Sequence, residues 1–275
     1  MLDKLRNIRW GAVCYAVLGL LALVGLGMLM SLIGKKDNTQ VCTDLKVMIE
    51  GKETFIDQND ISKLIDKSYG AVRGKELSTI PIHSIEESLE KLPYVSSAEI
   101  HMDMDGALQV KVRQREVLMR VINRSGKDFY VDPNGLKIPV TLKYVPRVMV
   151  ATGNIAEGYK EPLEPISSAT LKDLLEVVKY VNKDELWGNQ VVQLFVNTDM
   201  DIELIPRVGT QDLIIGDADS LDSKFQRLKL FYNEILPKVG TEAYNKVNVK
   251  YAHQIVCERK GAWTIDSAQV VKKLQ

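Results

Sequence analysis

The chain holds few of the residues on which enzyme chemistry usually rests. Among 275 residues there are 3 histidines, 3 cysteines and only 7% aromatic side chains. Cys14, Cys42 and Cys257 lack the spacing of a metal site or a dense disulfide framework. His83, His101 and His253 are scattered and read as surface or hairpin residues rather than ligands. No G-x-S-x-G, no G-x-x-x-x-G-K and no paired catalytic motif occurs. Asp103-x-Asp105-Gly106 lacks the later acidic positions of a calcium loop and reads as a hairpin turn. Asp217, Asp219 and Asp222 fit the capped start of a helix. Basic and acidic residues balance at 36 each with no Lys/Arg-rich run, which argues against a nucleic-acid partner. The expectation is therefore a protein without catalysis, cofactor, metal or small-molecule substrate, whose output is binding.

What the chain does have is one long apolar run. Between Arg9 and Lys35 lie 25 residues, 19 apolar and 5 glycine, with no charge. At about 1.5 Å per residue this run is long enough for a hydrocarbon core of about 30 Å. It is longer than the apolar region of a cleaved signal peptide and leaves through Met28, Met30, Leu32 and Ile33. We read it as a permanent single-pass anchor over 10–34, with a cytoplasmic tail at 1–9 and the remainder outside the cytoplasm. Lys4, Arg6 and Arg9 against Lys35 and Lys36 give a weak bias of the same sign. In that compartment Cys42 and Cys257 could pair or stay as tolerated thiols.

The external part reads as an α+β protein in two domains, 45–117 and 118–260, followed by a loose tail at 261–275. In the first, LKVMI is a strand, Asp57, Asn59 and Asp60 are N-cap candidates, and Ile61, Leu64 and Ile65 have helical spacing. Ser84 with Glu87 reads as a capping box for a second helix. Ala98, Ile100, Met102 and Met104 then alternate into a hairpin turned at Asp105-Gly106, giving strand, helix, helix, strand, strand. The second domain is richer in strands. A helix near 170–185 carries Leu171, Leu174, Leu175, Val178 and Val181, and a later one carries Leu221, Phe225, Leu228, Tyr232 and Ile235 inward.

The last strand, VNVKYAHQIVCE at 247–258, reads as twelve residues without Pro or Gly. As an edge it would invite strand addition by a partner; as an internal strand it would be fully paired. On one face Val249, Tyr251, His253, Ile255 and Cys257 would alternate against the residues between them, with either face available to the core.

Several strings in order resemble the FtsQ/DivIB family of bacterial cell-division proteins: LKVMIEG, LEKLPYVSSAEI with ALQVKVRQREV, YVDPNGLKIP, DIELIPRVGTQDLIIGDAD and VNVKYAH. The resemblance implies a cytoplasmic tail, one membrane helix, a POTRA domain and a β domain, located at the septum in the inner membrane. It implies a scaffold that links early and late division proteins through its terminal strand. The implied partners are FtsB/DivIC-like and FtsL-like single-pass coiled-coil proteins and the septal wall-synthesis machinery. Carried onto this chain, Tyr251 matches the family's partner-holding Tyr, and with the alternating face of the terminal strand the candidate partner-binding residues are Val249, Tyr251, His253, Ile255, Cys257 and Arg259. His253 and Gln254 depart from the small polar residue and Gly often found in the family, and Arg259 from a position that can be aromatic. The competing reading is a POTRA-bearing translocation or assembly factor that binds extended polypeptides.

Overall fold

The computed structural model describes residues 17–29, 41–103 and 105–261. The expected tails and both ends of the 10–34 run lie outside the described residues. The rest of that run, residues 17–29, forms helix α1. Among the described residues no helix is long and apolar enough to cross a membrane. The large apolar side chains of α1, from Val17 to Leu29, are all exposed.

The remaining chain forms two compact units: Ile56–Arg113 with the described residues up to Glu50, and Gly51–Phe55 with Gln114 onward. The first unit runs β1 (Leu45–Glu50), α2 (Gln58–Tyr69), a 3-10 turn (Leu77–Thr79), α3 (Ile82–Glu90), β2 (Val95–Met102) and β3 (Leu108–Gln114). Its sheet has the order β1-β3-β2, with β1 parallel to β3. Asp57 and Asp60 form a reciprocal capping box at the start of α2, each carboxylate accepting the other's backbone N–H at 2.9–3.0 Å. Ile61 and Ile65 from α2 and Ile85 and Leu89 from α3 then bury against Ala98, Ile100, Leu108 and Val110.

Two local expectations fail here. Helix α3 starts at Ile82, two residues before Ser84, because Pro81 has a preset φ and lacks the N–H that a first turn leaves unpaired anyway. The apolar alternation also stops short: Met102 is exposed, since the chain is already entering the Asp103–Gly106 turn, where Gly106 N–H donates to Asp103 O at 3.0 Å, and Met104 lies outside the described residues.

The second unit contains β4 (Met119–Ile122), β5 (Asp128–Val131), β6 (Lys137–Ile138), β7 (Met149–Gly153), α4 (Ala169–Lys183), α5 (Glu185–Gln190), β8 (Val191–Val196), β9 (Ile202–Pro206) and β10 (Asp212–Gly216). After these come α6 (Leu221–Leu230), a π-helical turn (Phe231–Ile235), α7 (Leu236–Val239), β11 (Tyr244–Asn248) and β12 (Val256–Arg259). All nine strands join one sheet in the order β12-β11-β10-β9-β8-β7-β4-β5-β6. Leu171, Leu174, Val178 and Val181 of α4 and Phe225 and Leu228 of α6 pack on Val121, Ala151, Leu194, Leu204 and Leu213, as their helical spacing requires. At the start of α6 Ser220 is left-handed and forms no side-chain cap. Asp217 instead takes the ammonium of buried Lys224 at 2.6 Å and the Asp219 N–H at 3.0 Å, so its carboxyl lies below the usual range, with the Lys224 hydrogen bond as the main cause.

The expected twelve-residue terminal strand does not exist as one element. The segment 247–258 is split, with β11 and β12 antiparallel and residues 249–255 as the connection. A local turn and a sequence-distant ion pair together break the strand. Asn248 Oδ1 accepts the Lys250 N–H at 3.0 Å, an Asx turn, and Lys250 Nζ is held by Asp201 at 2.6 Å. His253 then adopts a left-handed φ of 61°, which reverses the chain.

The two ends of the sheet differ. At β6 the outer backbone is already occupied: Lys137 N–H donates to Glu164 O at 2.9 Å and Leu163 N–H to Lys137 O at 2.8 Å. The Lys137 ammonium, 2% exposed, bridges Glu157 at 2.9 Å and Glu164 at 3.0 Å. At the other end, among the described residues, β12 has a neighbouring strand on one side only.

Candidate functional site

The open end of the sheet is built from β12, the 249–255 connection and α6. Lys260 N–H donates inward to Ala243 O at 3.1 Å. Strand alternation therefore turns the amides of Cys257 and Arg259 away from β11, toward the free side. Ile255 and Cys257 side chains pack on the core, so the odd-numbered face is the inner one in β12. Burial pushes the Cys257 thiol up, which makes it a packing residue rather than a nucleophile. Val256 is 48% exposed and, with Glu258, lies on the outer face.

The six expected contact residues are thus only partly brought together. Val249 is fully buried in the core, its N–H donating to Ile214 O at 2.9 Å, so its side chain cannot meet a partner. Tyr251, 48% exposed, lies beside Lys250, whose ammonium is 5.2 Å from the ring centre. His253 is exposed on the connection, Ile255 and Cys257 are half-buried, and Arg259 is exposed at the end of β12. Because 249–255 is not a strand, Tyr251 and His253 do not continue the face of Cys257, whereas Val249 and Cys257 both pack on the core.

The residues alone did not point to the part played by α6. Ser223, Gln226, Arg227 and Leu230 line a groove of about 490 Å³ with His253 and Ile255 as its other wall. Arg227 is the fixed point, donating to Val249 O at 2.6 Å and Ser223 Oγ at 2.7 Å. Its buried Nε has no hydrogen-bond partner. Leu230, 52% exposed, falls off the inward stripe of α6, and that off-register apolar residue was the available signal.

Cys42 is buried and Cys257 half-buried, and both are free thiols. Among the described residues no group of three or more His, Cys, Asp or Glu side chains could hold a metal ion.

A strand-helix-helix-strand-strand unit followed by a strand-rich unit with one open edge defines a POTRA-like domain joined to a β domain. Comparison with family models agrees: a POTRA-like domain model matches residues 40–113, and the model described as FtsQ/DivIB, C-terminal related matches residues 116–258. The second match covers more than half of the chain, which belongs to the FtsQ/DivIB family of cell-division proteins. Comparison with curated proteins found no match. The family is non-enzymatic, and membership carries a cell-division scaffold role with protein partners of the division complex.

Proposed function

We propose that this chain is a membrane-anchored scaffold that links early and late division proteins at the septum, and that it docks its partner by strand addition at β12. The observation that carries the reading is the asymmetry of the nine-stranded sheet, closed by 163–166 at β6 and, among the described residues, open at β12. An incoming strand would take its main-chain hydrogen bonds from the outward amides of Cys257 and Arg259. Tyr251 and Arg259 would supply side-chain contacts beside it, with His253 and Ile255 at the neighbouring groove. The partners that fit are FtsB/DivIC-like and FtsL-like single-pass coiled-coil proteins, which would bring septal wall-synthesis enzymes into the same complex. The exposed apolar surface of α1 supports an anchor across 10–34, with the tail 1–9 in the cytoplasm and the two units outside. Confinement to a membrane would let modest interfaces combine through effective concentration.

The test is copurification from cross-linked cells of the intact chain and of Arg259→Pro, which deletes one outward amide while leaving the β11 ladder intact. Loss of small single-pass proteins with the folded Pro variant is expected. Equal retention would reject β12 as the edge. A broad catch of exported polypeptides would favour the translocation reading instead.

A further inference from the structure

The first unit has an edge of its own, and that edge is closed in an unusual way. Strand β2 is the outer strand of the order β1-β3-β2 and runs eight residues without Pro or Gly. A strand of this kind ordinarily offers its outward amides to any extended chain. Here two of those amides are taken by side chains of α3. Ile100 N–H donates to Glu86 Oε1 at 2.8 Å, and Ala98 N–H donates to Glu90 Oε1 at 3.3 Å.

The match is one of pitch. Glu86 and Glu90 are four residues apart on one face of a helix, a rise of about 6 Å. Ala98 and Ile100 are two residues apart on one edge of a strand, about 6.8 Å. Helix α3 covers the inward side chains of both strand residues, so the two carboxylates hang over successive outward amides in register. Hydrogen bonds from an amide to an ionised carboxylate are stronger than those to the carbonyl of an incoming strand. A generic extended chain therefore meets an edge already bonded.

We propose that β2 is a gated docking edge, closed by Glu86 and Glu90, and that its occupant is an extended polypeptide segment carrying basic side chains. Such a segment opens the gate because it offers a new partner to each displaced carboxylate while its own backbone takes the Ala98 and Ile100 amides. The charge around the edge fits this occupant. Glu86 and Glu90 border β2 and the exposed Glu99 lies on it, 3.5 Å from His101 Nε2, while the second oxygen of Glu86 is 3.8 Å from His83 Nδ1. The proposal rests on the first unit alone and is independent of the reading of β12.

The test uses the full chain and two synthetic probes, a peptide of alternating Lys and Val and one of alternating Glu and Val. Binding is followed by anisotropy, and the site by hydrogen exchange at the Ala98 and Ile100 amides. The intact chain should bind the Lys-Val peptide at least about tenfold more tightly than the Glu-Val peptide, with added protection at both amides. In E86A/E90A the free amides should exchange faster, and the Glu-Val peptide should gain about tenfold. E86Q/E90Q keeps only a neutral acceptor on each amide, no stronger than an incoming carbonyl, so it should hold the edge less tightly and lose the preference for Lys. Equal binding of the two peptides by the intact chain overturns the proposal. So does the absence of any gain in E86A/E90A, or protection that falls outside β2. Should E86A/E90A fail to fold, E86Q/E90Q still decides: a Gln variant that keeps the full Lys preference rejects the gate.

Discussion

A guanidinium nitrogen of Arg227 on α6 donates to the carbonyl of Val249, 2.6 Å away, where the chain leaves β11. That bond ties the groove wall to the connection that precedes the open edge. Arg227→Ala leaves a buried carbonyl without its donor, a loss of about 1–2 kcal/mol. Partner binding should weaken about tenfold and the 250–255 amides should exchange faster, with the α4 core unaffected. Titration of the partner and hydrogen exchange check both, and unchanged exchange in the connection would reject the tie.

His253 holds a φ of 61° in the same connection. A non-glycine residue there costs about 1–2 kcal/mol, and glycine brings back about 0.5–1 kcal/mol as backbone entropy. His253→Gly should therefore keep or slightly raise the melting temperature, whereas His253→Val should lower stability by about 1–2 kcal/mol relative to Gly. A melting series of the three chains tests the ranking.

Glu157 predicts the response to acid. Burial would raise its carboxyl, but hydrogen bonds from Ser168 and Lys137, with the Ser167 and Ser168 amides, overcome this and hold it at about 2 against an ordinary 4.5. A depressed carboxyl stabilises the folded state fully above its unfolded value and loses that contribution as pH falls through the folded one. Unfolding in denaturant should show up to about 3 kcal/mol lost between pH 5 and pH 2. Glu157→Gln should flatten that slope.

Gly153 pairs with Val196 across β7 and β8 with a φ of 99°. A Cβ there would overlap the Val196 carbonyl oxygen and come within 2.8 Å of its nitrogen. Gly153→Ala should cost about 3 kcal/mol or more, since both the backbone and the neighbour oppose it. A midpoint shift smaller than about 1 kcal/mol in denaturant would contradict this.

Much of the fold was legible because its signals are local. The Asp57 cap, the apolar stripe of α4 and the Asp105-Gly106 turn depend on residues within one turn of each other. The element order of the first unit followed from them. The terminal segment was not legible in the same way. Residues 247–258 have strand composition throughout, and the reversal at 249–255 depends on Asp201 and Arg227, which are distant in sequence. Tyr251 and His253 were misplaced for that reason, since alternation assigns a face only while the strand continues, and Val249 because the odd-numbered side proves to be the core side. The α6 wall was hidden by the strength of its inward stripe, which drew attention away from Leu230. The gate on β2 left no sequence signal of its own, because Glu86 and Glu90 look like ordinary solvent-facing residues of an amphipathic helix.

Residues 51–55 belong to the second unit although both flanks belong to the first, so the chain passes between the units three times. Phe55 stacks edge-on with Tyr144 at 5.1 Å and Tyr130 at 6.1 Å, and Gln114 holds the Glu53 carbonyl at 2.6 Å. Neither unit is therefore a contiguous stretch of sequence. Recombination that cut once near residue 114 would inherit a β domain missing an aromatic plug, and a transplanted first unit would carry a loop whose apolar anchor has no seat. The two halves of this scaffold are bound to be inherited together.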